Sequence, residues 1–249
     1  MRIARGPEPI GPFARVVPSP RPGGGVRWMT ELSIAAEADY AAAVWRTAGV
    51  LEARLEGRVV ANRVAGPGLA LESWTRAHAR WRAHMRAGLA HPQVRAVLKA
   101  DVRDCYASVT PSVAGAQLRT LGASSERVRD VVGLLTRFGD EGVRGLPIGP
   151  DASAVLANLV LQAVDERLAR ADVRHLRWVD DVIVFARGRT GIAHAHDALE
   201  RALGDLGLRL NDAKSAVILD RAEATARLGL GLHSDVPWAP SPSAGSCVR

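Results

Sequence analysis

The sequence is poor in cysteine and has no recognisable zinc-ligand pattern. Its two cysteines, Cys105 and Cys247, lie far apart and indicate no disulfide framework. Among the seven histidines, His194 and His196 are two positions apart, so on a helix they would face different ways. The sequence therefore predicts neither a disulfide scaffold nor a zinc site.

Long hydrophobic runs are also missing. No stretch of about 18 uncharged apolar residues is present, which argues against a membrane-spanning helix. The first residues lack the apolar segment of a signal peptide. We therefore expect a cytoplasmic protein that does not contact a membrane. The hydrophobic fraction of 47% and the charged fraction of 24% are typical of a globular protein with an ample core.

Lysine is scarce, and positive charge comes almost entirely from arginine. The formal net charge of +7 favours a polyanionic partner such as nucleic acid. Of the 33 basic residues, only Lys99 and Lys214 are lysines. A lysine in so arginine-rich a chain can serve where a proton must be given up, a role that arginine cannot fill. Chance is the alternative, above all for Lys99.

Composition and hydrophobic periodicity divide the chain into four regions. They are an irregular arm rich in proline and glycine (1–27), a largely helical region (28–96), a region of alternating strands and helices (97–236) and a disordered tail (237–249). In the second region we expect a helix from Thr30 to about Val50, a strand or hairpin near 54–64, and a helix that Ser73 caps.

The third region has a recognisable order of elements. An apolar strand begins at Val97 and a strand pair surrounds Asp180, with a further strand pair near 227–232. Helices are predicted at about 111–121, 125–138 and 191–206, and a Gly/Pro loop from Gly145 opens a long helix that runs to about Arg170. This order is typical of a split βαβ arrangement in the α+β class, an antiparallel sheet with helices packed on one face.

Two adjacent aspartates, Asp180 and Asp181, separate two apolar runs that are rich in β-branched residues. This pattern predicts two buried strands joined by a tight turn that carries the acids. Burying two like charges side by side is unfavourable. A divalent cation such as Mg²⁺ would offset that cost, because hard cations prefer carboxylate oxygens. Such a site needs a third carboxylate, and Asp101 supplies one within another apolar run. The alternative is a surface turn with two solvated aspartates.

Four segments, in this order and spacing, resemble the polymerase motifs of reverse transcriptases. They are 101–106 (motif A), 145–158 (motif B), 178–181 (motif C) and 206–214 (motif D). Leu228 and Gly229 show a weaker resemblance to motif E. The segments are most similar to bacterial reverse transcriptases of the group that includes retrons, group II introns and phage-defence systems. The Gly-Leu-Pro-Ile-Gly-Pro segment at 145–150 resembles the defence-associated or abortive-infection branch.

The resemblance implies a right-hand polymerase palm at 97–236 and a helical fingers-like region at 28–96. It also implies an RNA-directed DNA polymerase that adds dNTPs to a 3′ hydroxyl, with an RNA template and a DNA product. Only about 35 residues of the 249 follow Lys214, so we expect no recognisable thumb. A non-coding RNA, a protein partner or a second copy of the chain would then supply that surface.

The resemblance also assigns roles to individual residues. Asp101, Asp180 and Asp181 would hold two Mg²⁺ ions, with Mn²⁺ as an alternative, and Lys214 would protonate the leaving pyrophosphate. Tyr106 would lie against the sugar and exclude a ribose 2′-OH. The residues expected at the nucleotide are Tyr106, Pro147, Gly149, Ser153, Asn158 and Arg63. The alternatives are a locally bonded side chain for Asn158 and a solvated charge for Arg63 and its neighbours Arg54 and Arg58.

Two other functions stay open at this point. One is an untemplated or protein-primed nucleotidyl transferase, or an RNA polymerase, on the same palm; the other is a non-catalytic RNA-binding scaffold. Tyr106 argues against ribonucleotide use, because a site that tolerates the 2′-OH needs a smaller or polar residue there. The three intact aspartates argue against a scaffold.

Overall fold

A computed structural model describes residues 14–20, 24–65 and 70–230. The strands are β1 (Ala14–Pro20), β2 (Val26–Leu32), β3 (Val64–Ala65), β4 (Ala70–Leu71), β5 (Ala96–Asp101), β6 (Arg174–Trp178), β7 (Asp181–Ala186) and β8 (Ala216–Ile218). The helices are α1 (Ile34–Leu51), α2 (Trp74–Ala90), α3 (Cys105–Ser108), α4 (Pro111–Thr120), α5 (Ser125–Asp140), α6 (Asp151–Arg170), α7 (Arg189–Gly204) and α8 (Arg221–Arg227).

The central feature is a four-stranded antiparallel sheet in the order β6-β7-β5-β8. This order is that of a split βαβ unit, and it confirms the predicted α+β class with an antiparallel sheet. On one face, Leu98, Ala100, Val182 and Val184 pack into the main core. Helices α6 and α7 cover that face, and α1 and α4 pack in turn against α6.

The second face of the sheet is also covered, which differs from the predicted single helical face. Val97, Ile183 and Phe185 form a smaller apolar cluster with Met85 of α2 and Ala224 of α8. The reason lies in the strands, which are apolar at successive positions. A strand of that kind has two faces to bury.

The N-terminal arm is the main correction to the predicted organisation. Within the described residues, β1 pairs with β2 along its whole length, from Ala14↔Leu32 to Pro20↔Val26. The prediction of irregular structure is therefore wrong for this part. In a two-stranded ribbon every strand is an edge, and edge strands tolerate proline because no inner neighbour needs its missing N–H.

The same hairpin moves the start of the first helix. Thr30 lies in β2, where its hydroxyl accepts a hydrogen bond from the Ile148 N–H (3.1 Å), so it is not the N-cap. Ser33 caps α1 instead, with its hydroxyl accepting from the Ala36 N–H (3.2 Å). The Thr30 N–H also donates to the Ile148 carbonyl (2.7 Å), which anchors the hairpin on the loop before α6.

Two smaller predictions are also wrong. Between α1 and β3 the chain forms a 3₁₀ turn (Glu52–Arg54) and a loop, and only Val64–Ala65 is strand. At 227–230, the described part of the strand pair predicted near 227–232, the chain instead ends α8 and turns. Asp220 caps α8 by accepting from the Glu223 N–H (2.7 Å).

Several predictions fall outside the described residues. They are residues 1–13 and 21–23 of the arm and the tail at 237–249. The limits of the four regions stay predictions. Across 14–20, 24–65 and 70–230, no helix combines the length and the apolar character needed to cross a bilayer.

Candidate active site

The turn between β6 and β7 carries the paired aspartates. Trp178 pairs with Asp181, so Val179 and Asp180 form a two-residue turn, as the sequence predicted. Val179 has a φ of +51°, in the left-handed region that β-branched residues avoid. Such a residue carries strain of order 1–3 kcal/mol and persists only where its surroundings hold it.

The third aspartate lies on the neighbouring strand. Asp101 ends β5 and pairs directly with Asp181. Next to it, the Val102 N–H donates to the Asp180 carbonyl (3.1 Å). Strand register thus brings Asp101 to the same end of the sheet as Asp180 and Asp181, which follow it by 79 and 80 positions in the sequence.

Asp101 is held by two side chains from the segment that precedes β8. Its carboxylate accepts from Asn211 Nδ2 (2.7 Å) and from Lys214 Nζ (3.1 Å). The Asn211 N–H also donates to the Asp101 carbonyl (2.8 Å). Sequence reasoning assigned Lys214 to this site but gave Asn211 no role, although its place three residues before Lys214 was a usable signal.

Burial and like charge both act on the other two carboxyls. Burial, and then the charge of Asp180, raises the pKa of Asp181 to about 6, against the opposing charge of Lys99. Burial also raises the pKa of Asp180; Asp101 adds to the effect, whereas Lys214 and Arg27 oppose it. The carboxylate end of the sheet therefore holds more negative charge than its neighbours neutralise, and it offers the hard oxygen donors that Mg²⁺ prefers.

The three carboxylates are near neighbours without forming a closed ligand cage. Their ligand oxygens do not all lie within 4.8 Å of one another. Among the described residues, the ligand atoms of His196, Asp197 and Glu200 on α7, a ring nitrogen and two carboxylate oxygens, do. The α7 group is exposed in two of its three members. The three carboxylates at the end of the sheet stay apart because like charges repel at short range and because Asp101 is oriented toward Lys214 and Asn211.

Tyr106 lies on the short helix that follows Asp101. It is half-buried, and burial, with a smaller contribution from Asp180, raises its pKa well above the usual range. The Leu146 N–H donates to the Tyr106 carbonyl (2.8 Å). Gly145 has a φ of +67°, and a Cβ at this position would lie 2.2 Å from the Tyr106 carbonyl oxygen. This glycine therefore lets the motif B loop pack on the Tyr106 backbone.

Two motif B residues expected at the nucleotide are used inside the protein. Ser153 is fully buried, and its hydroxyl lies 3.1 Å from the Tyr40 hydroxyl. Asn158 is also fully buried, and its Nδ2 donates to the Ala61 carbonyl (2.7 Å). Predicting direct nucleotide contact for these two residues was wrong, because neither polar group reaches the surface.

Arg63 is likewise engaged elsewhere. Its guanidinium contacts the Glu52 carboxylate and donates to the carbonyls of Glu56 and Val59 (3.0 Å each). It therefore closes the loop that follows α1 and is not available to a triphosphate, which corrects the predicted role. In the motif B loop, Pro147 is buried while Gly149 is exposed, so of these two predicted residues only Gly149 is open to a ligand.

Arg27 is a candidate that sequence reasoning missed. In β2 it lies on the same face as Met29, whose Cε would be 3.4 Å from a Cβ at Gly149. The charge of Arg27 opposes the raised pKa of both Asp180 and Tyr106. Because the hairpin itself was not predicted, no local pattern pointed to this residue.

Arg177 was missed as well, although an arginine inside an apolar strand is a signal. It is 1% exposed and donates through Nε and Nη2 to Asp165 (2.5–3.0 Å). Nη1 donates to Asn158 Oδ1 (2.9 Å) and to the Val179 carbonyl (3.0 Å). Burial alone would raise the pKa of Asp165, but Arg177 and the bond to His175 hold that pKa below its usual value.

Comparison with known proteins adds to this geometry. The model of a family described as reverse transcriptase (RNA-dependent DNA polymerase) matches residues 69–234, more than half of the chain. Among curated protein sequences, none matches the chain.

Solved telomerase structures share the fold. A structure of apo telomerase from Candida tropicalis has a TM-score of 0.59 at 14% identity and covers 87% of this chain and 46% of that one. A form truncated from the C-terminal domain has a TM-score of 0.55 at 13% identity, with 82% and 49% covered. Telomerase from Candida albicans with a TWJ fragment of telomeric RNA has a TM-score of 0.51 at 11% identity, with 85% and 43% covered. The chain thus spans about half the length of these structures.

Proposed function

The chain belongs to the reverse transcriptase (RNA-dependent DNA polymerase) family, and from that premise we propose that it is an RNA-directed DNA polymerase. It would add deoxynucleotides to a 3′ hydroxyl and copy an RNA template into DNA. The observation that carries the proposal is the placement of Asp101, Asp180 and Asp181 at one end of an antiparallel sheet inside the matched region.

Asp101, Asp180 and Asp181 would hold two Mg²⁺ ions, or Mn²⁺ in their place. Their oxygens are suitable donors. Burial, together with the neighbouring acids, raises the pKa values of Asp180 and Asp181, and a bound cation would offset that cost of keeping them charged. When bound, such ions lower the pKa of a hydroxyl nucleophile and stabilise a leaving pyrophosphate.

Lys214 would serve as the proton donor to pyrophosphate. Its ammonium lies beside Asp101, and its side chain is 57% exposed, so the proton at Nζ is open to a ligand above the carboxylates. Arginine, which replaces lysine almost everywhere else in the chain, is too weak an acid for this role.

The nucleotide would lie between Tyr106, Gly149 and Arg27. Tyr106 lies on α3, five residues after Asp101, and its bulk would exclude a ribose 2′-OH. Gly149 offers exposed backbone, and Arg27 places a positive charge on the same side of the hairpin as the motif B loop. We assign to Arg27 the triphosphate contact that the sequence had placed at Arg63.

The finer biological assignment rests on sequence resemblance. The Gly-Leu-Pro-Ile-Gly-Pro segment at 145–150 favours a bacterial, defence-associated reverse transcriptase that acts against phage in the cytoplasm. The net charge of +7 favours nucleic-acid partners, namely an RNA template and a DNA product. A non-coding RNA, which is also a polyanion, is a further candidate partner.

The test is incorporation of labelled dNTPs and, separately, NTPs by the purified chain with Mg²⁺, with and without an RNA template. We expect template-dependent dNTP incorporation. Asp180→Ala/Asp181→Ala should lower it by about a thousandfold or more, because several kcal/mol of transition-state stabilisation are lost. Asp197→Ala, at an exposed acid on α7, is the matched control and should leave the rate unchanged.

The other outcomes separate the competing functions. Incorporation without template indicates an untemplated nucleotidyl transferase. Incorporation that survives loss of Asp180 and Asp181 contradicts the proposed site. An absence of incorporation, with RNA binding intact in both wild type and variant, favours the scaffold.

A further inference from the structure

Arg177 is a buried cation close to the candidate active site. Its guanidinium is held by the Asp165 carboxylate, which is itself fully buried, and by Asn158 Oδ1. Both partners belong to α6. The backbone of Arg177 is held as well, since its N–H donates to the Arg58 carbonyl (2.9 Å) and its carbonyl accepts from the Val60 N–H (3.0 Å). Hydrogen bonds therefore hold both the guanidinium and the backbone of Arg177 in place.

The guanidinium also reaches the backbone of the turn. Nη1 donates to the Val179 carbonyl at 3.0 Å, and Val179 is the residue with the unfavourable φ of +51°. A strained conformation persists only where the surrounding structure holds it. The bond from Arg177 ties this turn to the buried helix α6.

Asp180 is consequently held from two directions. On its C-terminal side its carbonyl accepts from the Val102 N–H (3.1 Å), which joins it to the strand of Asp101. On its N-terminal side the peptide plane of Val179 is fixed by Arg177. The direction in which the Asp180 side chain leaves the backbone therefore depends on both contacts.

We infer that Arg177 is a positioning residue, which sets the Asp180 carboxylate for divalent-cation binding by holding the Val179 carbonyl in a strained turn. The inference rests on the proposed function, because it takes the aspartates as the cation ligands. Arg177 touches neither the cation nor the reacting atoms in this assignment. Asp165 and Asn158 act one step further away, by orienting the guanidinium.

The test measures binding of Mn²⁺ alone to the full chain by electron paramagnetic resonance, next to the melting temperature. Arg177→Lys keeps a cation for Asp165, but its single ammonium cannot also reach Asn158 and the turn. We expect its Mn²⁺ affinity to fall about tenfold or more, as for outer contacts that orient metal ligands.

His175→Phe is the matched control. His175 is buried and contacts the same Asp165 carboxylate through Nε2 (3.1 Å), but it does not reach the turn. We expect this variant to lose thermal stability while keeping the Mn²⁺ affinity of the wild type. If both variants lose Mn²⁺ affinity in proportion to their loss of stability, the positioning role is wrong and Arg177 is merely structural.

Substitutions of Val179 provide a second, independent test of the positioning role. Glycine adopts a positive φ without strain, so adding Val179→Gly to Arg177→Lys should recover most of the lost Mn²⁺ affinity; purely additive effects would overturn the inference. Val179→Pro leaves the buried network intact but forces a negative φ, and it should lose Mn²⁺ binding in a folded protein. This variant decides the matter if Arg177→Lys does not fold, and retained binding would overturn the inference.

The wild-type protein separates failure of the metal site from failure of the positioning role of Arg177. Failure of wild type to bind Mn²⁺ would overturn the metal site of the proposed function, and this inference with it. Binding by wild type that Arg177→Lys and Val179→Pro leave unchanged would overturn the inference alone.

Discussion

Burial of negative charge at Asp180 and Asp181 gives the candidate site its chemistry. Each carboxyl is withdrawn from water and lies beside another acid, so the pKa of each is raised. Cationic side chains offset only part of this effect. A group with such a shift destabilises the fold in its charged form, and binding of a divalent cation removes that penalty.

The shift predicts an unusual pH dependence for the metal-free protein. The pKa of Asp181 rises from 3.8 to about 6 on folding. The stability that its protonated form contributes is therefore fully present below about pH 4 and is lost as the pH rises through about 6. We expect Asp181→Asn to melt at a higher temperature than wild type near neutral pH, with the difference shrinking toward about pH 4.

Melting temperatures in the presence of a chelator, across this pH range, provide the measurement. Asp197→Asn, at an exposed position, is the control for substituting any acid. A stability difference between Asp181→Asn and wild type that does not change with pH would contradict the raised pKa.

Tyr106 carries a prediction about nucleotide choice. If its ring excludes the 2′-OH by bulk, Tyr106→Ala should lower the preference for dNTPs over NTPs by about tenfold or more, measured as a ratio of kcat/KM. Tyr106→Phe keeps the bulk and loses only the hydroxyl, so its preference should match that of wild type. Equal loss in the two variants would show that the hydroxyl, not the bulk, discriminates.

The loop between α5 and α6 joins the elements that surround the site. It packs on α3 through the Leu146 N–H and the Tyr106 carbonyl, and on β2 through the two hydrogen bonds between Thr30 and Ile148. Gly145 makes the first of these contacts sterically feasible. The position of Tyr106 thus depends on a glycine almost 40 residues away in the chain.

Gly145→Ala should therefore be destabilising. The added methyl would collide with the Tyr106 carbonyl and sit at a positive φ, and we expect the free energy of unfolding to fall by about 1–3 kcal/mol or more. Gly133→Ala in the middle of α5, where nothing lies within 4 Å of the new Cβ, should instead raise it by about 0.5–1 kcal/mol. Urea unfolding checks both, and equal effects would contradict the close packing at Gly145.

Across the molecule, the N-terminal hairpin is brought to a site built almost entirely from residues 101–214. Thr30 anchors β2 on the motif B loop, and Arg27 then lies within electrostatic reach of Asp180 and Tyr106. The candidate nucleotide site is thus formed by residues on both sides of the motif B loop, with Arg27 of β2 on one side and Tyr106 of α3 on the other.

Arg27→Ala tests this long-range arrangement. Loss of a charge-assisted contact to the triphosphate should raise KM for dNTPs about tenfold, with a smaller effect on kcat. Arg15→Ala on the paired strand is the control, because Arg15 forms an exposed ion pair with Glu31 that contributes little. A KM unchanged by Arg27→Ala would place the triphosphate elsewhere.

The parts of this protein that were predictable depend on short-range pattern. Alternating and periodic apolar residues located β5, α2, α4 to α7 and the β6–β7 turn to within a few residues, because strand and helix periods appear within a single segment. The resemblance to polymerase motifs A and C likewise implied that Asp101 and Asp180 lie on neighbouring strands, and the pairing of Asp101 with Asp181 brings the three aspartates to one end of the sheet.

The roles of the polar side chains required the packed molecule. Asn158 bonds Ala61 across 97 positions and Ser153 lies against Tyr40 across 113, distances at which sequence spacing carries no information about contact. The same holds for Arg27, which reaches the site only because its strand, β2, pairs with the proline-containing strand β1 as a hairpin. Local pattern decides which segments form strands and helices. Which buried donor meets which acceptor is decided by how those elements pack, because nearly all buried polar groups in a folded protein are hydrogen-bonded.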